Sequence, residues 1–362
     1  MRNFARTPVL RWLVPVLTAA VLISAGWTVD RITASAQEEL APRTPAQLLV
    51  DIQRARLDGL SGTIVQRADL GLPELPEVGG SGSSDLSSLI SGSHTLRVWL
   101  SGPDKARLAL LGTLGESDVV LNGADLWIWS SRDKTAAHRT LMSPTGRHHD
   151  GAWPPRDETF PMTPQSLAKA VLAAIDPSTE VTTSGSATVA GRRAYELVLG
   201  PRDRASLVDQ VRIAIDEATS VPLRVQVFAR GGAATPAFEV GFTRFDPTRP
   251  DDAQFRFTPP PGAEVTELEL PSMRHGGPVP EVVGQGWTTT LVFDSRDGRA
   301  DVPHGLPGPM SQLVQSLPRV SGDWGSGRLL AGTLFSVLFT DDGQTAVGAV
   351  TPQRLFEAVA AR

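Results

Sequence analysis

His148-His149-Asp150 is the cluster whose residue types could ligate a metal, with His138 as an outlying group. Imidazole and carboxylate suit zinc. The cluster lies in a loop flanked by glycine and proline, however, and reads better as a solvated polar turn. Asp341-Asp342-Gly343 opens like a calcium loop, but the later oxygen ligands are missing at calcium spacing. A hairpin turn is the expectation there. Trp324-Gly325-Ser326-Gly327 sets a serine between glycines without the strand-turn-helix context that a nucleophile needs. There is no phosphate-cradling glycine loop, no histidine pair at metalloprotease spacing and no assignable His-acid-nucleophile set. The chain has no cysteine, which excludes a disulfide framework, thiol catalysis and an acylated lipoprotein cysteine. A non-enzymatic binding role with no cofactor and no metal is therefore expected, with an exported hydrolase as the weaker alternative.

The chemistry that remains is apolar burial. In Leu126-Trp127-Ile128-Trp129 both faces of a strand are apolar: Leu126 and Ile128 point one way, Trp127 and Trp129 the other. Two readings stand. The tryptophans pack under a neighbouring loop or domain, or one of the two sets lines an apolar ligand cavity. Leu96, Val98 and Leu100, then Leu108 and Leu110, are consistent neighbours for such a wall, although simple core packing selects the same residues.

The elements that would position this wall follow from a period of two. From Gly191 to Gly262 the sequence reads as five strands. Tyr195, Leu197 and Leu199 alternate with Glu196, and Val211, Ile213 and Ile215 with Arg212. Leu223, Val225 and Val227 alternate with Arg224, and Phe238, Val240 and Phe242 with Glu239. Phe255 and Phe257 flank Arg256. That is the pattern of an antiparallel sheet with one wet face. The other face needs a cover: helices, a second sheet or a ligand.

Earlier strands are expected at 61–68, 94–100, 105–111, 118–121, 126–129 and 135–141, with Asn122-Gly123 as a two-residue hairpin turn. Thr44-Pro45 and Thr163-Pro164 each open a helix as N-cap and first-turn proline. The first helix carries Leu48, Leu49, Ile52 and Ala55 and is stopped by Asp58-Gly59. The second carries Leu167, Ala170, Val171 and Ile175. Residues 72–93 and 142–162 read as loops, and Pro259-Pro260-Pro261-Gly262 as a sheet edge or exit. After a linker at 271–280 comes a small α+β unit. It has a strand at 286–293, a short helix at 310–317, a hairpin of 328–339 with 344–350, and a terminal helix from Thr351-Pro352 carrying Leu355, Phe356 and Val359.

The whole chain has 362 residues, is 41% hydrophobic and carries a net charge of -5, which gives no electrostatic reason to expect nucleic acid. Of its 34 basic residues only Lys105, Lys134 and Lys169 are lysines. Arg2, Arg6 and Arg11 precede an uncharged run from Trp12 to Val29, and Ala34-Ser35-Ala36 could be cleaved. Residues 1–36 are thus a signal peptide or a signal anchor, and either places the body outside the cytoplasm.

The segments "GRRAYELVLGP", "IAIDEATSVPLRVQVF" and "FRFTPPPGAEV" carry a resemblance. With the Thr-Pro helices and the export signal, they resemble the LolA-like lipoprotein-carrier superfamily, including RseB/MucB-like regulators of extracytoplasmic sigma factors. Tyr195, Leu197, Pro201, Asp216, Pro222, Leu223, Phe255, Phe257 and Pro259 carry the match. The resemblance implies an α+β fold: a half-open antiparallel β-barrel with a helical lid over residues 44–270, plus a small α+β C-terminal domain at 281–362. It implies a cavity that takes a lipid or the acyl chain of a lipoprotein. Its candidate lining is Leu48, Leu49 and Ile52 from the lid and Leu96, Val98, Leu108 and Leu110 from the early strands. Leu126, Trp127, Ile128 and Trp129 follow, then Tyr195, Leu197, Ile213 and Val225 from the meander. The tail "DDGQTAVGAVTPQRLFEAVA" is similar to the second domain of the RseB-like branch, which adds a membrane anti-sigma factor as a partner. Trp287 and Trp324 have no counterpart in the resemblance.

Overall fold

The computed structural model describes residues 40–72, 88–89, 91–113, 115–141, 163–232, 234–268, 280–294 and 313–361. The expected export signal, the His148-His149-Asp150 cluster and most of both expected loops lie outside them. Among the described residues no helix is long and apolar enough to cross a membrane.

The alternating segments become strands of one 12-stranded sheet. The first six are β1 (Gly59–Ala68), β2 (Gly92–Ser101), β3 (Lys105–Leu111), β4 (Glu116–Asn122), β5 (Asp125–Ser130) and β6 (Thr135–Thr140). They form a simple antiparallel meander. A second meander follows: β7 (Thr179–Val189), β8 (Arg192–Pro201), β9 (Val208–Asp216), β10 (Pro222–Ala229) and β11 (Phe238–Asp246). β11 returns to lie antiparallel beside β1, from Ser61 opposite Asp246 to Ala68 opposite Phe238, and this seam joins the two meanders. β12 (Glu264–Glu267) adds to the far edge, parallel to β6. The sheet is open rather than a closed barrel, with β12 and β7 as its edges. It curls enough for β7 to touch β11.

Local chemistry sets the turns. Ala190 and Gly191 both have positive φ (51° and 74°), as a two-residue hairpin of primed type requires. The β4–β5 hairpin turns on Gly123 and Ala124, one residue later than the Asn-Gly signal, because Asn122 pairs with Asp125. Gly59 does not stop the first helix but begins β1. A Cβ there would lie 2.7 Å from the Leu100 carbonyl oxygen and 2.9 Å from the Arg249 Cα.

The fifth strand expected in the meander does not form. Residues Asp252–Phe255 make one turn of 3-10 helix, capped by Asp251, whose carboxylate accepts from the Ala253 amide at 2.7 Å. That turn rests on β3 and β4. Two phenylalanines around an arginine imitate alternation, but three prolines beyond them remove the donors a ladder needs.

Helix α1 (Pro45–Arg54) and helix α2 (Pro164–Ala173) each start at a Thr-Pro pair with a capping box, Thr44 with Gln47 and Thr163 with Ser166. α1 ends at Arg54, and Leu48 is its one fully buried side chain, with Leu49 and Ile52 half-buried. On α2 the buried residues are Pro164 and Ala168, while Ala170 of the expected stripe is exposed.

The C-terminal part is a six-stranded antiparallel sheet. Its strands are β13 (Glu281–Val283), β14 (Thr290–Asp294), β15 (Arg319–Gly322), β16 (Gly325–Ala331), β17 (Ser336–Thr340) and β18 (Gln344–Gly348). Their order is β13-β14-β18-β17-β16-β15. Residues 328–339, expected as one strand, are two: Gly332 donates to the Phe335 carbonyl and folds the chain back. Helix α3 (Pro352–Ala360) covers one face. Leu355 and Val359 are buried against Val292, Leu338 and Ala346, and Phe356 stacks on Trp324 with ring centroids 5.1 Å apart. Both sheets belong to one compact unit. They meet through an isolated bridge between Ser206 and Val350, and through a hydrogen bond from Trp287 Nε1 to Thr179 Oγ1 at 2.8 Å.

The fully buried Leu197 sits where β7, β8 and β9 meet. Leu197→Ala is expected to cost roughly 2–5 kcal/mol. Urea unfolding monitored by circular dichroism would measure this as a lower midpoint at unchanged slope.

Candidate functional site

Antiparallel pairing places directly opposed residues on the same face, so the register defines the wall. One row runs Leu126, Leu121, Ala106, Leu100, Leu60 across β5 to β1. The next runs Ile128, Val119, Leu108, Val98, Gly62 and then Phe245 of β11. A third joins Leu110, Leu96, Ile64 and Phe242. A fourth crosses the seam: His94, Gln66, Val240, Val225, Ile213, Leu197. Tyr195 pairs with Ile215 on the same side. One apolar surface therefore spans both meanders.

The face is buried: Ile64, Leu96, Val98, Leu110, Leu197, Ile213 and Val225 are fully covered, and among the described residues two helices and one turn contribute to that cover. The Arg43 guanidinium, beside the N-cap of α1, lies 5.0 Å from the centre of the Tyr195 ring and is bridged to Asp51 at 2.6 Å. This holds α1 over the apolar face. α2 rests on β10 and β11, where Leu223, Val225 and Val240 are buried. The turn at Ser88–Leu89 caps the seam, and Gln66 Nε2 donates to the Leu89 carbonyl at 3.0 Å.

The sequence-derived candidates divide accordingly. Leu96, Val98, Leu108, Leu110, Leu126, Ile128, Tyr195, Leu197, Ile213 and Val225 share the apolar face, with Leu48 above it. Trp127 and Trp129 lie on the opposite face. There Trp127 stacks on His138 at 4.2 Å, and Phe257 packs against both tryptophans at 5.3 and 6.1 Å. They belong with the chain segment that crosses the outside of the sheet, and they share no wall with Leu126. His138, the outlying member of the possible metal cluster, bonds Asp125 at 2.9 Å.

Elsewhere the outer face carries polar pairs. Arg107 reaches Asp118 at 2.7 Å and lies over Trp99. Glu196 takes Ser184 at 2.6 Å and Arg224 at 3.3 Å. Burial, and then repulsion from Asp118, pushes the Glu116 carboxyl above its ordinary range.

Gln66 and His94 were not among the sequence candidates. Their signal was present: each occupies the apolar phase of its strand, Gln66 after Leu60, Gly62 and Ile64, and His94 before Leu96, Val98 and Leu100. A polar residue in that phase is out of place unless it has a partner.

At the wall's far corner Arg192 makes a two-pronged pair with the buried Asp216, at 2.7 and 2.8 Å, and lies over the Phe245 ring. Burial alone would raise the Asp216 carboxyl, but donors from Arg192 and Thr219 outweigh it and hold it below the ordinary range. A depressed carboxylate stabilises the fold above its unfolded-state value, about 3.9, and loses that contribution as pH falls through its folded value. Stability measured by urea unfolding across pH 2–7 should therefore fall below about pH 4. Asp216→Asn should flatten part of that fall, whereas an unchanged pH profile would contradict this role for the pair.

Residues 83–269, just over half of the chain, match the family model described as "Predicted periplasmic protein (DUF2092)". No curated protein matches the sequence. Among solved structures the chain is similar to the MucA/MucB complex of Pseudomonas aeruginosa at 18% identity, covering 87% of this chain and 96% of that one, with a TM-score of 0.44. It is similar to an uncharacterized conserved protein from Thermus thermophilus at 13% identity, covering 62% and 98%, with a TM-score of 0.35. It is also similar to a LolA superfamily protein from Nitrosomonas europaea at 12% identity, covering 60% and 99%, with a TM-score of 0.22. These matches include both groups named by the sequence resemblance.

Proposed function

This chain belongs to the DUF2092 family of predicted periplasmic proteins, and from that premise we propose that it is an extracytoplasmic, non-enzymatic protein that binds a lipid or the acyl chain of a lipoprotein. The ligand lies between the apolar face of the 12-stranded sheet and its helices. The observation that carries this reading is the breadth of the apolar face, which runs without a break through both meanders beneath helices of about ten residues.

α1 buries one side chain fully, Leu48. Lifting it exposes Leu48, roughly 1.5–3 kcal/mol, part of Leu49 and Ile52, and the sheet side chains beneath the helix, Tyr195 among them. Each methylene of an incoming chain contributes roughly 0.8 kcal/mol when buried. A chain of several methylenes therefore offsets the opening and the ordering that binding demands. No charged contact is needed, and the apolar face supplies none.

A second reading is a regulatory module of the RseB-like kind, which binds a membrane anti-sigma factor and senses envelope lipids. It is favoured by the second sheet, joined to the first at Ser206–Val350 and Trp287–Thr179. A carrier does not need that sheet to hold a lipid. If the reading holds, protein captured from its native membranes should bring an anti-sigma factor with it. Recovery of lipid alone would favour the carrier.

Native mass spectrometry of the protein purified from its own envelope, with solvent extraction, tests the lead reading. The expected result is a bound lipid that delipidation removes and added acyl lipid restores, with a raised melting temperature. Protein that carries no lipid and shows no thermal shift with any acyl compound would refute it.

A further inference from the structure

Gln66 and His94 are cross-strand partners on the apolar face, at 0% and 2% exposure. Each has one satisfied and one orphaned polar atom. Gln66 Nε2 donates to the Leu89 carbonyl at 3.0 Å, while its Oε1 has no partner among the described residues. His94 Nε2 lies 2.7 Å from the Ser91 carbonyl oxygen, while its Nδ1 has none. A carbonyl oxygen only accepts, so Nε2 carries a hydrogen, and in that tautomer Nδ1 presents a lone pair. Both orphaned atoms are therefore acceptors, side by side, roughly 5 Å apart at the level of Cβ. They cannot satisfy each other. Buried acceptors without donors are rare and costly in native proteins, and each calls for an explanation.

The row they belong to continues as Val240, Val225, Ile213 and Leu197. It holds two acceptors and then four apolar side chains in line. Six strands span five spacings, about 24 Å. One leaflet of a bilayer's hydrocarbon core is half of roughly 30 Å. The row is thus long enough for an acyl chain with its head at the β1–β2 end.

We propose that Gln66 Oε1 and His94 Nδ1 form the head-group site for the ligand, and that they select an acyl compound whose head carries hydrogen-bond donors, namely hydroxyl or amide N–H groups. The polar pair fixes which end of the ligand lies at the seam, and the apolar residues beyond it take the tail. The inference rests on the acyl-binding reading above and goes further by naming the head chemistry. Two donors placed within reach of both acceptors would satisfy atoms that the lid leaves unpaired. A head without donors, such as a methyl ester, would leave them so.

The test compares 1-lauroylglycerol, which has two hydroxyl donors, with methyl laurate, which has the same chain and no donor. Each displaces a dansylated undecanoic acid from the delipidated full-length chain. The expected result is a preference of about tenfold or more for 1-lauroylglycerol. Gln66→Met and His94→Phe should each reduce that preference to within about twofold. The wild-type comparison stands by itself if a variant fails to fold. Equal affinity of the wild type for both compounds would overturn the head-group site while leaving acyl binding in place. So would a lipid-free crystal structure with one ordered water on both acceptors that persists when 1-lauroylglycerol is bound. Binding of neither compound, nor of the dansylated acid, would overturn the acyl-binding reading and the head-group site with it.

Discussion

The pairing of β1 with β11 is the constraint on which the rest depends. Each meander alone has an apolar face, but one of limited breadth that two short helices could cover. The seam fuses them into a single surface and brings Ile64 beside Phe242 and Gln66 beside Val240. It also carries the one irregularity of that ladder, a shift between Thr63 and Ile64. The extra residue lets both Phe242 and Phe245 face inward, where their rings meet edge to face at 5.0 Å. Gly62, opposite Phe245, has no room for a Cβ: it would fall 2.7 Å from the Phe242 ring. Backbone and side-chain packing at the seam thus agree on one register.

The same logic explains the lid. Three helices begin at Thr-Pro, at residues 44, 163 and 351. Proline at the first turn sacrifices no helical hydrogen bond, and the two lid helices add a side-chain cap. Helices of about ten residues are marginal by themselves and depend on what they pack against. α3 meets that need with a dense cluster around Leu355 and the Trp324–Phe356 stack. α1 meets it with Leu48 and an arginine over a tyrosine. The contrast separates a helix that closes a core from one that covers a face.

Much of this was legible in the sequence, because a period of two is a local property. The bounds of β3 follow from Lys105 to Leu111 alone, and the opposed faces of Leu126-Trp127-Ile128-Trp129 are those of the fold. What could not be read was set at long range. Nothing near Val240 announces Gln66 as its neighbour. Phe255-Arg256-Phe257 alternates like a strand but is claimed by the outside of the sheet, where Trp127 and Trp129 supply the aromatic surface that Phe257 meets. The break at Gly332 reflects the close approach of the Leu70 carbonyl, 3.0 Å from where a Cβ would stand. Of the candidate site, the apolar wall was visible as phase. Its two polar members were visible only as exceptions to that phase, which acquire meaning once cross-strand pairing sets them side by side.

The seam also fixes the order in which this protein can be made. Thr63 and Thr243 are hydrogen-bonded neighbours 180 positions apart in the chain. A polypeptide synthesised N-terminus first presents β1 to β6 long before β11 exists. During that interval the β1 edge has its donors and acceptors open, beside a bare apolar face, which is the state most prone to pairing with another chain. Closing so long a loop is also slow relative to local hairpins. The geometry that gives the folded protein one broad surface therefore gives its biosynthesis a vulnerable interval. The length of that interval is set by the synthesis of the second meander.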